Sequence, residues 1–185
     1  MTGWQTRATR TVYENAWIRV REDEVTRPDG GEGIYGVVEV RQPAVFVVPL
    51  TDAGEVLMVR MWRYPLERES LEVPAGGSDG EDLLVAAQRE LQEETGYVAA
   101  DWRQLGLMHS LDGVSRAPSY VFLARGLSAA GDADRTAEEM TAEGISEAVI
   151  LPWSDVLDGI RGGEIHDGES IAALMYAAIE LGRMT

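Results

Sequence analysis

Three glutamates, Glu90, Glu93 and Glu94, stand at i, i+3 and i+4 in the run Arg89-Glu90-Leu91-Gln92-Glu93-Glu94-Thr95. On a helix that spacing makes their carboxylates neighbours. They fall in the last turns of the helix predicted around them, where the macrodipole favours cations over anions. Three anions there repel one another unless positive charge sits among them. Arg89 can pair with Glu93 at i+4 and relieve part of the repulsion. Glu90 and Glu94 then remain as a matched pair of oxygen donors one turn apart, a pair suited to a hard cation such as Mg²⁺ or Mn²⁺. A solvated acidic helix face is the plainer reading of the same charges and, for the run taken alone, the commoner one.

The surrounding residues shift that balance. Gly76-Gly77-Ser78-Asp79-Gly80 is a glycine-rich loop that runs into the helix. Ser78 followed by Glu81 fits a capping box, with Asp79 as a second candidate cap. Leu84, Ala87 and Leu91 recur at i, i+3 and i+7 and predict the buried face. Gly96 is positioned to end the helix in a left-handed cap. The whole stretch resembles the Nudix box, the signature of the Nudix hydrolases, G-x5-E-x7-R-E-U-x-E-E-x-G-U. Glu81, the seven residues after it, Arg89, Glu90, Leu91, Gln92, Glu93, Glu94, Thr95, Gly96 and Tyr97 all match. The departure is at the front. Gly76 precedes Glu81 by one residue too few, and strict spacing puts Ala75 in the glycine position. So many matched positions in one window make the signal specific.

Upstream, Arg63-Tyr64-Pro65 and Glu72-Val73-Pro74-Ala75-Gly76 resemble the approach to the box in the ADP-ribose pyrophosphatase branch of that family. The resemblance implies that Arg63 binds substrate phosphate, and a guanidinium can fork onto phosphate oxygens. The alternative for Arg63 is an ion pair with Glu67 or Glu69. The resemblance also implies a metal held by Glu90, Glu94 and the backbone carbonyl of Ala75, with Glu93 oriented by Arg89. Glu72 reads as a structural partner. Carboxylates committed to metal are poor proton acceptors, so another group must take a proton from the attacking water. Relatives carry that glutamate on the loop before the strand that ends here at Leu151-Pro152. Glu143 lies nearest the matching position and Glu139 is the alternative, whereas Glu138 reads as solvated. His109 and His166, the two histidines, read as structural. Relatives often have an acidic triplet where this chain has Ser115-Arg116-Ala117.

Composition narrows the remaining possibilities. The chain has 185 residues and a formal net charge of −16. That charge disfavours nucleic acid and anionic membranes, which need a basic footprint, but admits a small phosphorylated substrate neutralised locally. All 16 basic residues are arginine, so no lysine chemistry is open to it. No cysteine is present, which removes disulfides and thiolate sites. The first ten residues lack a signal-peptide core, and no apolar run nears the ~20 residues of a membrane helix. A cytoplasmic protein is expected.

The elements that must position the glutamates follow. Residues 1–41 read as a β-hairpin extension turning at Arg27-Pro28-Asp29-Gly30-Gly31; from the resemblance it serves dimerisation. Residues 42–185 read as the catalytic domain. Ala44–Leu50 is a continuously apolar, buried strand and Val56–Met61 its return. Trp102–Met108 and Tyr120–Ala124 are strands. Residues 128–144 read as a long acidic loop. Ile145–Leu151 is a strand, Trp153–Ile160 a short helix and Ser170–Leu181 a longer one, burying Ile171, Leu174, Met175, Ala178 and Leu181. The class is α+β; the resemblance implies the Nudix α/β/α sandwich with a mixed central sheet. The expected activity is Mg²⁺-dependent (or Mn²⁺-dependent) hydrolysis of the pyrophosphate of a nucleoside diphosphate sugar, foremost ADP-ribose to AMP and ribose 5-phosphate, by a homodimer. Alternatives are another nucleotide sugar such as GDP-mannose, oxidised nucleoside triphosphates, and a non-catalytic Nudix-fold sensor, against which the intact box counts.

Overall fold

In a computed structural model that describes residues 3–131 and 133–183, strand β4 (Ala44–Pro49) carries the architecture. Its side chains alternate between two cores. Phe46 and Val48, with Leu50 just beyond, face Ala173, Leu174 and Ala177 of helix α4 (Gly168–Glu180). Val45 and Val47 face Ala86, Ala87 and Leu91 of helix α1 (Leu83–Thr95). A strand buried on both sides needs an unbroken apolar run, which is what AVFVVPL supplies. Strand β10 (Pro118–Ala129) alternates likewise, with Val121 and Leu123 on the α4 side and Phe122 and Ala124 on the α1 side. The sheet therefore lies between helices, and the α+β sandwich expected from the sequence is the fold observed.

The chain forms two compact units, one of residues 44–108 and 120–185, the other of residues 1–43 and 109–119. In the larger unit, one sheet has the order β7-β4-β10-β8, where β7 is Ala75–Gly77 and β8 is Tyr97–His109. A second has the order β11-β5-β6, with β5 Val56–Arg63, β6 Arg68–Glu72 and β11 Ile145–Leu151. β5 pairs antiparallel with both its neighbours. Helix α3 (Trp153–Gly162) adds Val156 to the α4-side core and ends at Gly163, whose φ is +76°.

The smaller unit is a sheet of β1 (Gln5–Glu14), β2 (Ile18–Thr26), β3 (Glu32–Val40) and β9 (Ser115–Arg116). The first three strands pair antiparallel, and β9 adds in parallel beside Val38 and Glu39. Residues 115–116, within the triplet noted above, are therefore a short strand. Trp4 stacks edge-on against Tyr35, with centroids 5.2 Å apart. Every residue of β1 is exposed.

Several local expectations need correction. Residues 133–143 form a helix, α2 (Ala133–Glu143), not a loop. Alanine, arginine, methionine and glutamate are strong helix formers, and this propensity outweighs the weak apolar pattern. Asp82, not Ser78, caps α1, accepting from the Leu84 N–H at 3.0 Å. Ser78 and Glu81 instead close a turn, with Glu81 N–H donating to the Ser78 carbonyl. Leu84 is exposed, as is Met175; Ala173 and Ala177 hold the α4 interface in its place.

Candidate active site

The site grows from α1. Glu90 and Glu94 project from its buried side and are only 4% and 2% exposed, while Glu93 is half-buried one turn across. Carboxylates are rarely buried without partners, so the partners are informative. Arg89 uses its whole fork. Nε donates to Glu81 Oε2 at 3.0 Å, Nη1 to Glu90 Oε1 at 2.8 Å and Glu93 Oε2 at 3.0 Å, and Nη2 to the Gly77 carbonyl at 2.8 Å. The expected Arg89–Glu93 pair is present, within a wider network. Burial alone would lower the Arg89 pKa, but Glu81, Glu90 and Glu93 raise it overall.

Arg89, even with Arg135 Nη2 3.9 Å from Glu93 Oε1, does not balance this many acids. Burial pushes Glu90 up to about 7, and Glu143 and Glu93 push the same way against the pull of Arg89. Burial, then the charge of Glu90, holds Glu94 well above the usual carboxylate range, although the Ala75 N–H donates to its Oε2 at 3.0 Å. Glu143, at the exposed end of α2, turns its carboxyl inward, where burial and Glu93 raise its pKa while a hydrogen bond with Glu94 lowers it. Two carboxyl groups in hydrogen-bond contact require a proton or a cation between them.

Among the described residues, oxygens of Glu90, Glu93 and Glu143 lie within 4.8 Å of one another. The floor is Gly76, where a Cβ would lie 2.2 Å from Glu90 Oε1. The backbone of β7 thus approaches the carboxylates more closely than any side chain permits. This nest is all hard oxygen, short of positive charge and open to backbone approach, which fits a divalent cation such as Mg²⁺ or Mn²⁺. Of the expected ligands only Glu90 belongs to that group of three; Glu94 meets the Ala75 N–H, and Glu93 and Glu143 complete the group in its place. Within the short loop, Gly76 is the residue whose backbone meets the Glu90 carboxyl.

Arg63, at the end of β5, does not pair with Glu67 or Glu69. It forks onto Glu72, Nε to Oε1 at 2.9 Å and Nη2 to Oε2 at 2.5 Å. Glu72 is 2% exposed and is therefore the structural partner its sequence context suggests. That hydrogen-bonded pairing raises the Arg63 pKa, and the charges of Asp167 and Glu94 add to it. Glu139 accepts from Arg135 Nε at 2.6 Å, a guanidinium whose Nη2 lies 3.9 Å from Glu93 Oε1, and Glu138 is exposed. His109 is exposed, and His166 Nδ1 lies 3.2 Å from the Glu164 carbonyl. Asp167 and Ser170, which prove to border this region, carry no signal in the sequence beyond an Asp-x-x-Ser helix start.

A family profile described as a NUDIX domain matches residues 40–174, and one described as a nucleoside diphosphate sugar hydrolase N-terminal domain matches residues 4–38. The ADP-ribose pyrophosphatase of Bacillus subtilis (strain 168) is 29% identical over 177 residues, spanning 95% of this chain and 93% of its own. That of Mycobacterium tuberculosis (strain ATCC 25618 / H37Rv) is 31% identical over 177 residues, spanning 93% and 82%. A solved structure of an ADP compounds hydrolase matches with a TM-score of 0.83 at 21% identity, over 98% of this chain and 96% of that one; at that identity it speaks for the fold alone. Arg63, Gly76, the glutamates of α1 and Glu143 all fall inside the span 40–174, so the nest is built from the part of the chain that the profile describes, and the chain belongs to the Nudix hydrolases.

Proposed function

We propose that this protein hydrolyses the pyrophosphate bond of a nucleoside diphosphate sugar, with ADP-ribose as the preferred substrate and AMP and ribose 5-phosphate as products. The observation that carries the reading is the group of carboxylates formed by buried Glu90, half-buried Glu93 and Glu143 from α2, with buried Glu94 next to Glu90 and Gly76 against the Glu90 carboxyl. The named activities of the two pyrophosphatase relatives support the choice of ADP-ribose. Nudix hydrolases generally need a divalent metal, and Mg²⁺ is the ion we assign, with Mn²⁺ as a substitute. When bound, such an ion neutralises pyrophosphate oxygens and acidifies a water.

The chain's own residues supply the rest. Glu90 and Glu94, with the Ala75 carbonyl, hold the ion. Arg89 orients Glu90 and Glu93 through its three carboxylate contacts. Arg63, kept rigid by Glu72, offers charge to a phosphate. Glu143 enters from a different helix, and its raised pKa suits a group that takes a proton from the attacking water. Glu139, paired with Arg135, is the weaker candidate for that role. The reading includes a cytoplasmic location and a homodimer in which residues 1–41 pack on the partner, supported by the exposed Trp4, Trp17 and Ile34.

The test is a screen over nucleotide sugars, dinucleotides and nucleoside triphosphates, with Mg²⁺, with Mn²⁺ and with chelator, in which the nucleotide products are separated and identified by chromatography. Metal-dependent AMP formation from ADP-ribose is expected. GDP-mannose turning over faster would move the substrate. Preference for triphosphates would overturn the substrate class, and binding without turnover would make the protein a sensor.

A further inference from the structure

The junction from β6 to β7, Glu72-Val73-Pro74-Ala75, commits one polar group per residue to a different neighbour. The Glu72 carboxylate grips Arg63. The Val73 N–H donates to Ser170 Oγ at 3.1 Å. The Pro74 carbonyl accepts from the Val47 N–H at 2.8 Å. The Ala75 N–H donates to Glu94 Oε2 at 3.0 Å. One short segment therefore sets both the guanidinium on the phosphate side of the nest and a carboxylate on its metal side.

Proline has no N–H, so the amide of Val73 is the donor available midway between those two contacts. Its acceptor comes from 97 residues further along the chain. Ser170 lies in the first turn of α4, is 0% exposed, and is itself held by Asp167, whose Oδ2 accepts from the Ser170 N–H at 2.6 Å. Val73 is buried too. Without the hydroxyl, a buried amide loses its partner, and the segment has to move to find another.

We propose that Ser170 is a positioning residue for the reaction. By anchoring Val73 it fixes the spacing between Arg63 and Glu94, so substrate binding and metal binding are aligned by one hydroxyl on the last helix. This rests on the function proposed above for its kinetic consequences, though not for its structural one.

The test compares Ser170→Ala with Ala177→Gly in the full-length protein loaded with Mg²⁺. Ala177→Gly weakens the same helix through its propensity and the loss of one buried methyl group, two turns beyond the junction. Both are assayed well below their melting temperatures. We expect Ser170→Ala to lose roughly 10- to 100-fold in kcat/KM, the scale for groups that orient metal ligands. KM for ADP-ribose and the Mg²⁺ concentration for half-activity should rise together, while Ala177→Gly leaves both unchanged. Hydrogen exchange at the Ala75 amide should accelerate in Ser170→Ala only, with or without metal. Equal behaviour of the two variants, or an Ala75 amide as protected in Ser170→Ala as in wild type, overturns the proposal. Should wild type hydrolyse no nucleotide sugar, the functional reading fails on its own and the exchange measurement alone decides the role of Ser170.

Discussion

Replacing Gly76 by alanine places a methyl group against the carboxyl of Glu90. The Cβ position lies 2.2 Å from Oε1, 2.3 Å from Cδ and 2.5 Å from Oε2, whereas ordinary contact begins at 3.4 Å. The carboxyl must therefore retreat by about 1.2 Å. Backbone strain plays no part, because Gly76 is not among the glycines with positive φ. Nor is Glu90 free to swing, being 4% exposed and bound to Arg89 Nη1 at 2.8 Å. A displacement of about 1 Å at a reacting centre costs on the order of 100-fold in rate. Overpacking costs about 1–3 kcal/mol in stability, so the variant stays folded and melts several degrees lower. Its Mg²⁺-dependent turnover of ADP-ribose should fall about as far as that of Glu90→Gln, on the order of 100-fold, and its melting temperature should respond less to Mg²⁺. Gly77→Ala is the control, since its Cβ would meet only Asp79 Oδ1, at 3.4 Å. Wild-type turnover and Mg²⁺ response in Gly76→Ala would refute the steric argument, as would equal damage from Gly77→Ala.

Three further outcomes are expected. Glu143→Gln should lower kcat by about 100-fold, with Glu139→Gln and Glu138→Gln close to wild type; a crippled Glu139→Gln beside an active Glu143→Gln reverses the assignment. Burial pushes the Glu90 carboxyl up to about 7 in the folded protein, against 4.5 for an ordinary glutamate, so between those values the folded, metal-free protein holds a proton that the unfolded chain has released. Its stability should fall as pH rises through that window, by on the order of 3 kcal/mol for this group alone, and melting in chelator from about pH 5 to about pH 8 should show the fall, flattened in Glu90→Gln; a melting temperature that climbs instead contradicts it. Sedimentation at micromolar concentration should give a dimer, and a fully active monomer would remove residues 1–41 from any role in assembly.

What could be read from the sequence followed the range of the interactions. The acids of α1 and Arg89 interact over one or two turns, so their spacing together with the matched positions around them marked the site, as the unbroken apolar run of β4 marked a buried strand. Glu72 as a structural partner was legible from its context, although its partner Arg63 was open until β5 and β6 were seen side by side. The cap of α1 was misread because Ser78, Asp79 and Asp82 all suit that position, and only the turn at Gly80, with φ +83°, decides among them. Helix α2 was misread because no residue of it is buried, so it lacks the apolar stripe by which helices are recognised. The Ser170–Val73 contact could not be read at all: a serine at a helix start is ordinary, and nothing local says which amide it meets.

Helix α2 has a consequence for how this enzyme tolerates heat. It has 11 residues, none buried, and lies between Gly131 and Gly144, both with positive φ. Its apolar attachment is Met140 against Val59, Met61 and Ile145. A helix this short is marginal without packing, so α2 opens at a lower free energy than the core around β4. Warming should then withdraw Glu143 from the nest while the sandwich is intact. On the role proposed for Glu143, the temperature at which catalysis stops and the temperature at which the chain unfolds would be set by different parts of the molecule, and the first loss should reverse on cooling. Selection for work at higher temperature would act on the exposed face of α2 and leave the core as it is.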